Sequence, residues 1–224
     1  MIVIFDLDGT LLNTIDDLGY ACNYALQQAS YPVHSISAYP AMVGNGINML
    51  IRRALPEEVR TDETVLSLRQ NFVAYYNQHN CDYTRPYAGI PELLRTLRSE
   101  GHTLAVASNK YQEATEKIIC RFFPKTFACV LGERAGIPRK PDPAIIRDIL
   151  SHPAMRDSSE NPTPATPIWY VGDSLVDRDT ATNAGLRFVA CSWGFVARST
   201  LQDAGIPNIA DHPREILRFV AQGE

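Results

Sequence analysis

Apolar residues in this chain gather into short runs that do not alternate with polar ones. The clearest are Ile2–Phe5, Thr103–Ala107, Phe127–Leu131, Ile168–Val171 and Arg187–Cys191. A run without alternation fits a strand buried on both faces. Between these runs lie segments of helical pattern: Ile90–Ser99, Tyr111–Phe122, Ala144–Leu150 and Asp177–Ala184. Strand and helix in this rhythm predict a parallel sheet with crossover helices, an α/β fold.

From about Thr14 to Asp82 the rhythm breaks: the segment carries helical patterns and no convincing strand. Asp16–Ser30 is one candidate helix. Past Asn45, the residues Ile47, Leu50, Ile51, Ala54 and Leu55 share one face of a second. A third covers roughly Thr64–Gln78, with Leu66, Phe72, Val73 and Tyr76 among its apolar positions. The expected organisation is a Rossmann-like parallel-sheet core at residues 1–13 and 84–224, with an α-helical cap domain inserted at 14–83. The stretch "SHPAMRDSSENPTPATP" at 151–167 reads as a long loop from its Pro, Ser and Asn content.

Composition narrows the picture by exclusion. A chain of 224 residues can bury a sizeable core and suits one domain plus a smaller insertion. The formal net charge is only −4 and the basic residues form no block, which argues against nucleic acid and anionic membrane surfaces as partners. Asp6 interrupts the first apolar run, and no later run reaches membrane-spanning length. Five scattered cysteines without C-x-x-C spacing suit free thiols in a reducing compartment, so a cytoplasmic protein is expected. The five histidines show no metal-ligand spacing.

Candidate chemistry collects at the strand ends, where a parallel sheet gathers functional groups. In "FDLDGT", Asp6 and Asp8 project to the same side of an extended chain, and their repulsion calls for a cation between them. Oxygen-only ligands favour Mg²⁺, and a carboxylate can be the nucleophile in phosphoryl transfer. Asp-Gly alone is more often a turn. Ser108, Asn109 and Lys110 follow the second run, either favouring an anion at a helix start or merely capping that helix. Lys140 stands before Pro141, with Asp142-Pro143 reading as a helix cap. Gly172-Asp173-Ser174 follows the fourth run, with Asp177 close behind. Each feature has an ordinary structural explanation; the set, at successive strand ends, has none.

The set resembles the haloacid dehalogenase superfamily of phosphatases and phosphomutases over nearly the whole chain. Asp6–Thr10 matches its first motif, Ser108 its second, Lys140 its third and Gly172–Asp177 its fourth, with a helical insertion between the first two. The resemblance implies that Asp6 attacks phosphorus and that Asp8 is the general acid and base. It implies Mg²⁺ held by Asp6, the main-chain carbonyl of Asp8 and Asp173. Lys140 would offset phosphoryl charge, with Asp177 supporting it. Ser108 and the Asn109 N–H would hold phosphoryl oxygens, and Thr10 would shape the loop.

"MVGNGINMLIRRAL" at 42–55 further resembles the cap segment of phosphoglycolate phosphatases, and "SWGF" at 192–195 fits them as well. There Gly44 and Asn45 would let backbone approach a small anion. Arg52 or Arg53 would reach a substrate carboxylate, unless both simply face solvent. The implied activity is a Mg²⁺-dependent phosphatase of small phosphorylated metabolites, 2-phosphoglycolate first among them, acting as a monomer or homodimer. A β-phosphoglucomutase-like phosphomutase, a pyrophosphatase or a sugar phosphatase would share the same core residues.

Overall fold

The first apolar run becomes strand β1 (Ile2–Phe5), whose Val3, Ile4 and Phe5 are fully buried. Val3 and Phe5 face one apolar cluster and Ile4 faces another, as the alternation of side chains along a strand requires. Both faces of the sheet are therefore covered. Each such side chain contributes about 1.5–3 kcal/mol on burial, which is why a strand of four residues can anchor the centre of the sheet.

The structure, a computed structural model, describes residues 1–156 and 167–221. After β1 come a short ribbon strand β2 (Leu12–Asn13), helices α1 (Ile15–Gln28), α2 (Ile47–Ala54) and α3 (Asp62–His79), and the ribbon's second strand β3 (Arg85–Pro86). The remainder alternates: α4 (Ile90–Ser99), β4 (Thr103–Tyr111), α5 (Gln112–Phe122), β5 (Cys129–Glu133), α6 (Ala144–Ser151), α7 (Pro153–Arg156), β6 (Ile168–Gly172), α8 (Leu175–Asn183), β7 (Arg187–Cys191), α9 (Arg198–Asp203), β8 (Ile209–Ala210) and α10 (Ile216–Ala221). Six strands form one parallel sheet in the order β5-β4-β1-β6-β7-β8. Phe5 pairs with Val106 on β4 and with Val171 on β6, so the three central strands end level with one another.

The five expected strands all form, although β5 starts at Cys129 rather than Phe127. Strand β4 runs on to Tyr111 through an irregularity in its pairing with β5. Ser108 and Asn109 consequently lie on a strand and cap no helix; α5 begins only at Gln112. The loop expected at 151–167 is partly helical, since α6 ends at Ser151 and α7 adds one turn. Residues 157–166 of that stretch lie outside the described residues.

Between β2 and β3 the chain is helical. The stripe Ile47, Leu50, Ile51, Ala54 and Leu55 is buried as its spacing requires. On α3 the buried line is Val65, Leu68, Phe72 and Tyr76, whereas Leu66, expected inside, is 55% exposed. The two crossings of the chain between helical segment and sheet are tied together. Buried Asp17, near the start of α1, accepts hydrogen bonds from the Tyr83 and Thr84 N–H groups and the Thr84 hydroxyl. Among the described residues no helix is long and apolar enough to cross a membrane.

Candidate active site

The level ends of β1, β4 and β6 bring Asp6, Ser108 and Asp173 to one edge of the sheet, all three buried. Lys140 enters from the segment ahead of α6. Its Nζ lies 2.8 Å from Asp6 Oδ1 and donates to Asp177 Oδ1 at 2.7 Å, the Tyr170 hydroxyl at 2.9 Å and the Ala107 carbonyl at 3.0 Å. A buried ammonium persists only with such a complement. Burial disfavours its charge, but Asp177 and then Asp6 outweigh this and hold Lys140 well above the ordinary lysine value.

Asp177 serves two masters. One oxygen meets Lys140; the other accepts from the Ser174 N–H and hydroxyl, while the Ser174 hydroxyl accepts from the Asp177 N–H. This reciprocal cap starts α8 and aims the carboxylate at the lysine. Asp173 caps nothing. Its oxygens accept from the Thr10 hydroxyl at 3.2 Å and the Phe195 N–H at 2.7 Å. Glycine is required on both sides of it: a Cβ on Gly194 would lie 2.2 Å from Asp173 Cβ, and one on Gly9, where φ is +87°, would lie 2.4 Å from Asp173 Oδ2. Trp193 fastens the same loop by donating to the Thr10 carbonyl at 3.0 Å.

Asp6, Asp173 and Asp177 each place an oxygen within 4.8 Å of the others, and all three are buried. Burial, and then repulsion from Asp177, push Asp6 up to about 7; burial, Asp177 and Asp6 push Asp173 well above the usual carboxylate range. Lys140 alone offsets three carboxylates. A buried, oxygen-only set short of positive charge fits a hard divalent cation such as Mg²⁺.

The Asp8 carboxylate stands outside that set, and a second lysine separates it from Asp6. Lys110 Nζ lies 2.9 Å from both Asp8 oxygens, and the Thr14 hydroxyl donates to Oδ1 at 2.8 Å. The repulsion expected between Asp6 and Asp8 is thus relieved by the chain itself, one lysine per carboxylate. Asn109 works through its amide: Oδ1 accepts from the Lys140 N–H, and Nδ2 donates to the carbonyls of Lys140 and Gly44. It thereby joins the sheet edge to the helical segment.

These groups floor a cavity of about 560 Å³, counted to its open mouth, whose opposite wall comes from α1–α3 and the residues before α2. Gly44 lines it, together with Gly46. Asn45 and Arg52 do not join the lining. Asn45 accepts from Arg53, which also donates to the Met42 and Val43 carbonyls and so braces the turn before α2. Arg52 pairs with Asp62 and the Arg60 carbonyl at the surface. The expected arginine contact with substrate is therefore corrected: both guanidiniums lie off the apolar stripe, and neighbouring carbonyls and a carboxylate capture them.

Sequence reasoning passed over Lys110, Thr14, Tyr170, Trp193 and Gly194. Only Lys110 carried a usable signal, a lysine directly after Ser108-Asn109 at a strand end. The others act through contacts across 6 to 183 residues of chain.

With this geometry in view, the chain belongs to the haloacid dehalogenase-like hydrolases, whose sequence pattern matches residues 3–191. It is an enzyme of that hydrolase class. Within the class it resembles the phosphoglycolate phosphatases. The phosphoglycolate phosphatase of Cereibacter sphaeroides strain ATCC 17025 is 33% identical over 196 residues, 86% of this chain and 85% of its own. That of Mannheimia succiniciproducens is 29% identical over 96% of each chain. A crystal structure from Lactobacillus delbrueckii subsp. bulgaricus superposes with a TM-score of 0.88 at 30% identity, covering 98% of this chain and 97% of the other.

Proposed function

We propose that the protein is a Mg²⁺-dependent phosphatase that hydrolyses small phosphomonoesters through an aspartyl-phosphate on Asp6, with 2-phosphoglycolate as its substrate. The observation that carries this reading is the pair of separately held carboxylates facing one cavity: Asp6 fixed on one oxygen by Lys140, and Asp8 at hydrogen-bonding reach of Lys110 and Thr14. The names of the relatives support the choice of substrate.

Asp6 Oδ1 is held by Lys140, which leaves Oδ2 to attack phosphorus. As that bond forms, the bond from phosphorus to the leaving oxygen breaks, and the Asp8 carboxyl gives its proton to that oxygen. Water then attacks the aspartyl-phosphate and passes a proton back to Asp8, the Asp6–phosphorus bond breaks, and inorganic phosphate departs. Every contact of Asp8 in the structure is a donor to it, the arrangement of its ionised, proton-accepting form. Ser108 lines the floor beside Asp6 and offers a hydroxyl to a phosphoryl oxygen, while Lys140 offsets the charge gathering there. Asp6 and Asp173, with the Asp8 carbonyl, would hold Mg²⁺, which supplies further stabilisation of that charge. The helical segment 14–83 acts as the cap that closes the site and excludes water.

Phosphate release from 2-phosphoglycolate, pyrophosphate, sugar phosphates and nucleoside monophosphates, with Mg²⁺ and with EDTA, tests this reading. Mg²⁺-dependent release that favours 2-phosphoglycolate is expected. Isomerisation of β-glucose 1-phosphate without phosphate release would replace it by a mutase.

A further inference from the structure

The wall facing Asp6 is apolar: Leu18 from α1, Val43, Ile47 and Leu50 around α2, and Phe72 and Tyr76 from α3. One hydrogen-bonding group is set into it. The Tyr76 hydroxyl is fully buried and has no partner, although a buried hydroxyl is ordinarily satisfied. The ring around it is well fixed. It stacks on Phe72 at 5.5 Å, meets Tyr111 edge-on at 6.5 Å and lies beneath Lys110 Nζ at 4.8 Å. Burial, and then the neighbouring Asp8 carboxylate, hold the phenol well above its ordinary value, so it remains a donor.

The cations lining the cavity are Lys140, committed to the phosphoryl end, and Lys110, at the Tyr76 end. Lys110 reaches only the two Asp8 oxygens, and an ammonium has three protons to give. Arg52 and Arg53 are bound elsewhere and compete for nothing here.

We infer that the Tyr76 hydroxyl and the Lys110 ammonium together recognise the leaving group, and that they select short phosphomonoesters whose far end is a carboxylate. The inference rests on the phosphatase reading and narrows its substrate class. The donor of the tyrosine and the charge of the lysine complement an anionic acceptor, while the surrounding apolar wall leaves a longer polar chain unsatisfied. A site with a donor waiting for substrate discriminates strongly against an analogue lacking the acceptor.

The test compares binding of 2-phosphoglycolate and ethyl phosphate, by calorimetry in Mg²⁺, to the Asp6→Asn protein and to Asp6→Asn carrying Tyr76→Phe. Phenylalanine keeps the ring and its packing and removes only the hydroxyl. Tyr76→Phe should weaken 2-phosphoglycolate about tenfold or more, and at least five times more than it weakens ethyl phosphate. Equal loss for the two ligands, no loss for either, or no binding of 2-phosphoglycolate to the Asp6→Asn protein overturns the inference. Phosphate release by the unaltered enzyme is measured alongside. If none occurs, the phosphatase reading fails by itself, and the binding comparison still decides whether Tyr76 selects a carboxylate.

Discussion

The floor of the cavity and its wall are built on opposite plans. At the floor, Lys140 has four partners, Asp177 bonds through both oxygens, and Asp173 is gripped by a hydroxyl, an N–H and two glycines. The wall is apolar and holds a single donor with nothing to bind. Buried charge is tolerated only when paired, so the floor is over-determined, as a constellation must be to hold reacting atoms in place. The wall has a different task. A donor left free in an apolar surface costs stability in the empty protein, and it becomes useful when the right ligand arrives.

Four measurements break or sharpen this contrast. Asp6→Asn should remove turnover on the order of 10⁴-fold or more, as loss of a nucleophile does, while the circular dichroism spectrum stays that of the folded protein; retained turnover would place the nucleophile elsewhere. Lys110→Met should lower kcat on every substrate by about 10–100-fold, because Asp8 loses the partner that holds it and general acid–base catalysis contributes about 10²–10⁴-fold. An effect on KM alone would make Lys110 part of the wall and not of the floor.

The third concerns the metal. Mg²⁺ at one hundred times its dissociation constant should stabilise the fold by about 2.7 kcal/mol, seen as a rise in Tm of about 5–11 °C that EDTA reverses. Gly194→Ala should cost about 1–3 kcal/mol in urea unfolding through overpacking against Asp173, and the Mg²⁺-induced rise should shrink with it. An undiminished rise would show that Asp173 is no ligand. The smallest effect is expected from Arg52→Ala, below about 1 kcal/mol in stability and without change in KM, since its pair with Asp62 is solvent-exposed. A raised KM for 2-phosphoglycolate would return Arg52 to the site.

Much of the floor was legible because parallel strands write their function at their ends: an apolar run stops, and the next residues are Asp6, Ser108 or Asp173. The helical segment was legible through the stripe on α2, and less so on α3, where Leu66 faces solvent. Arginine direction was not legible. Periodicity places Arg52 and Arg53 off the buried face, but a long, flexible side chain goes wherever its donors find acceptors, and those are set by the turn before α2 and by Asp62. Nor did "DLDGT" reveal that Asp8 would turn to Lys110 and leave Asp177 to complete the acidic cluster.

The amino-acid order alone determined the alternation of strands and helices, the place of the helical insertion and the residue types at each strand end. These depend on burial and periodicity, which act along a few consecutive residues. Tertiary structure decided which charges meet. It set Lys110 against Asp8 across 102 residues and Lys140 against Asp177 across 37, wedged Asp173 between Gly9 and Gly194, and left the Tyr76 hydroxyl facing the cavity without a partner. Such pairings turn on distances of a few tenths of an ångström between atoms far apart in the chain, and only the packing of the whole sheet against its helices sets those distances.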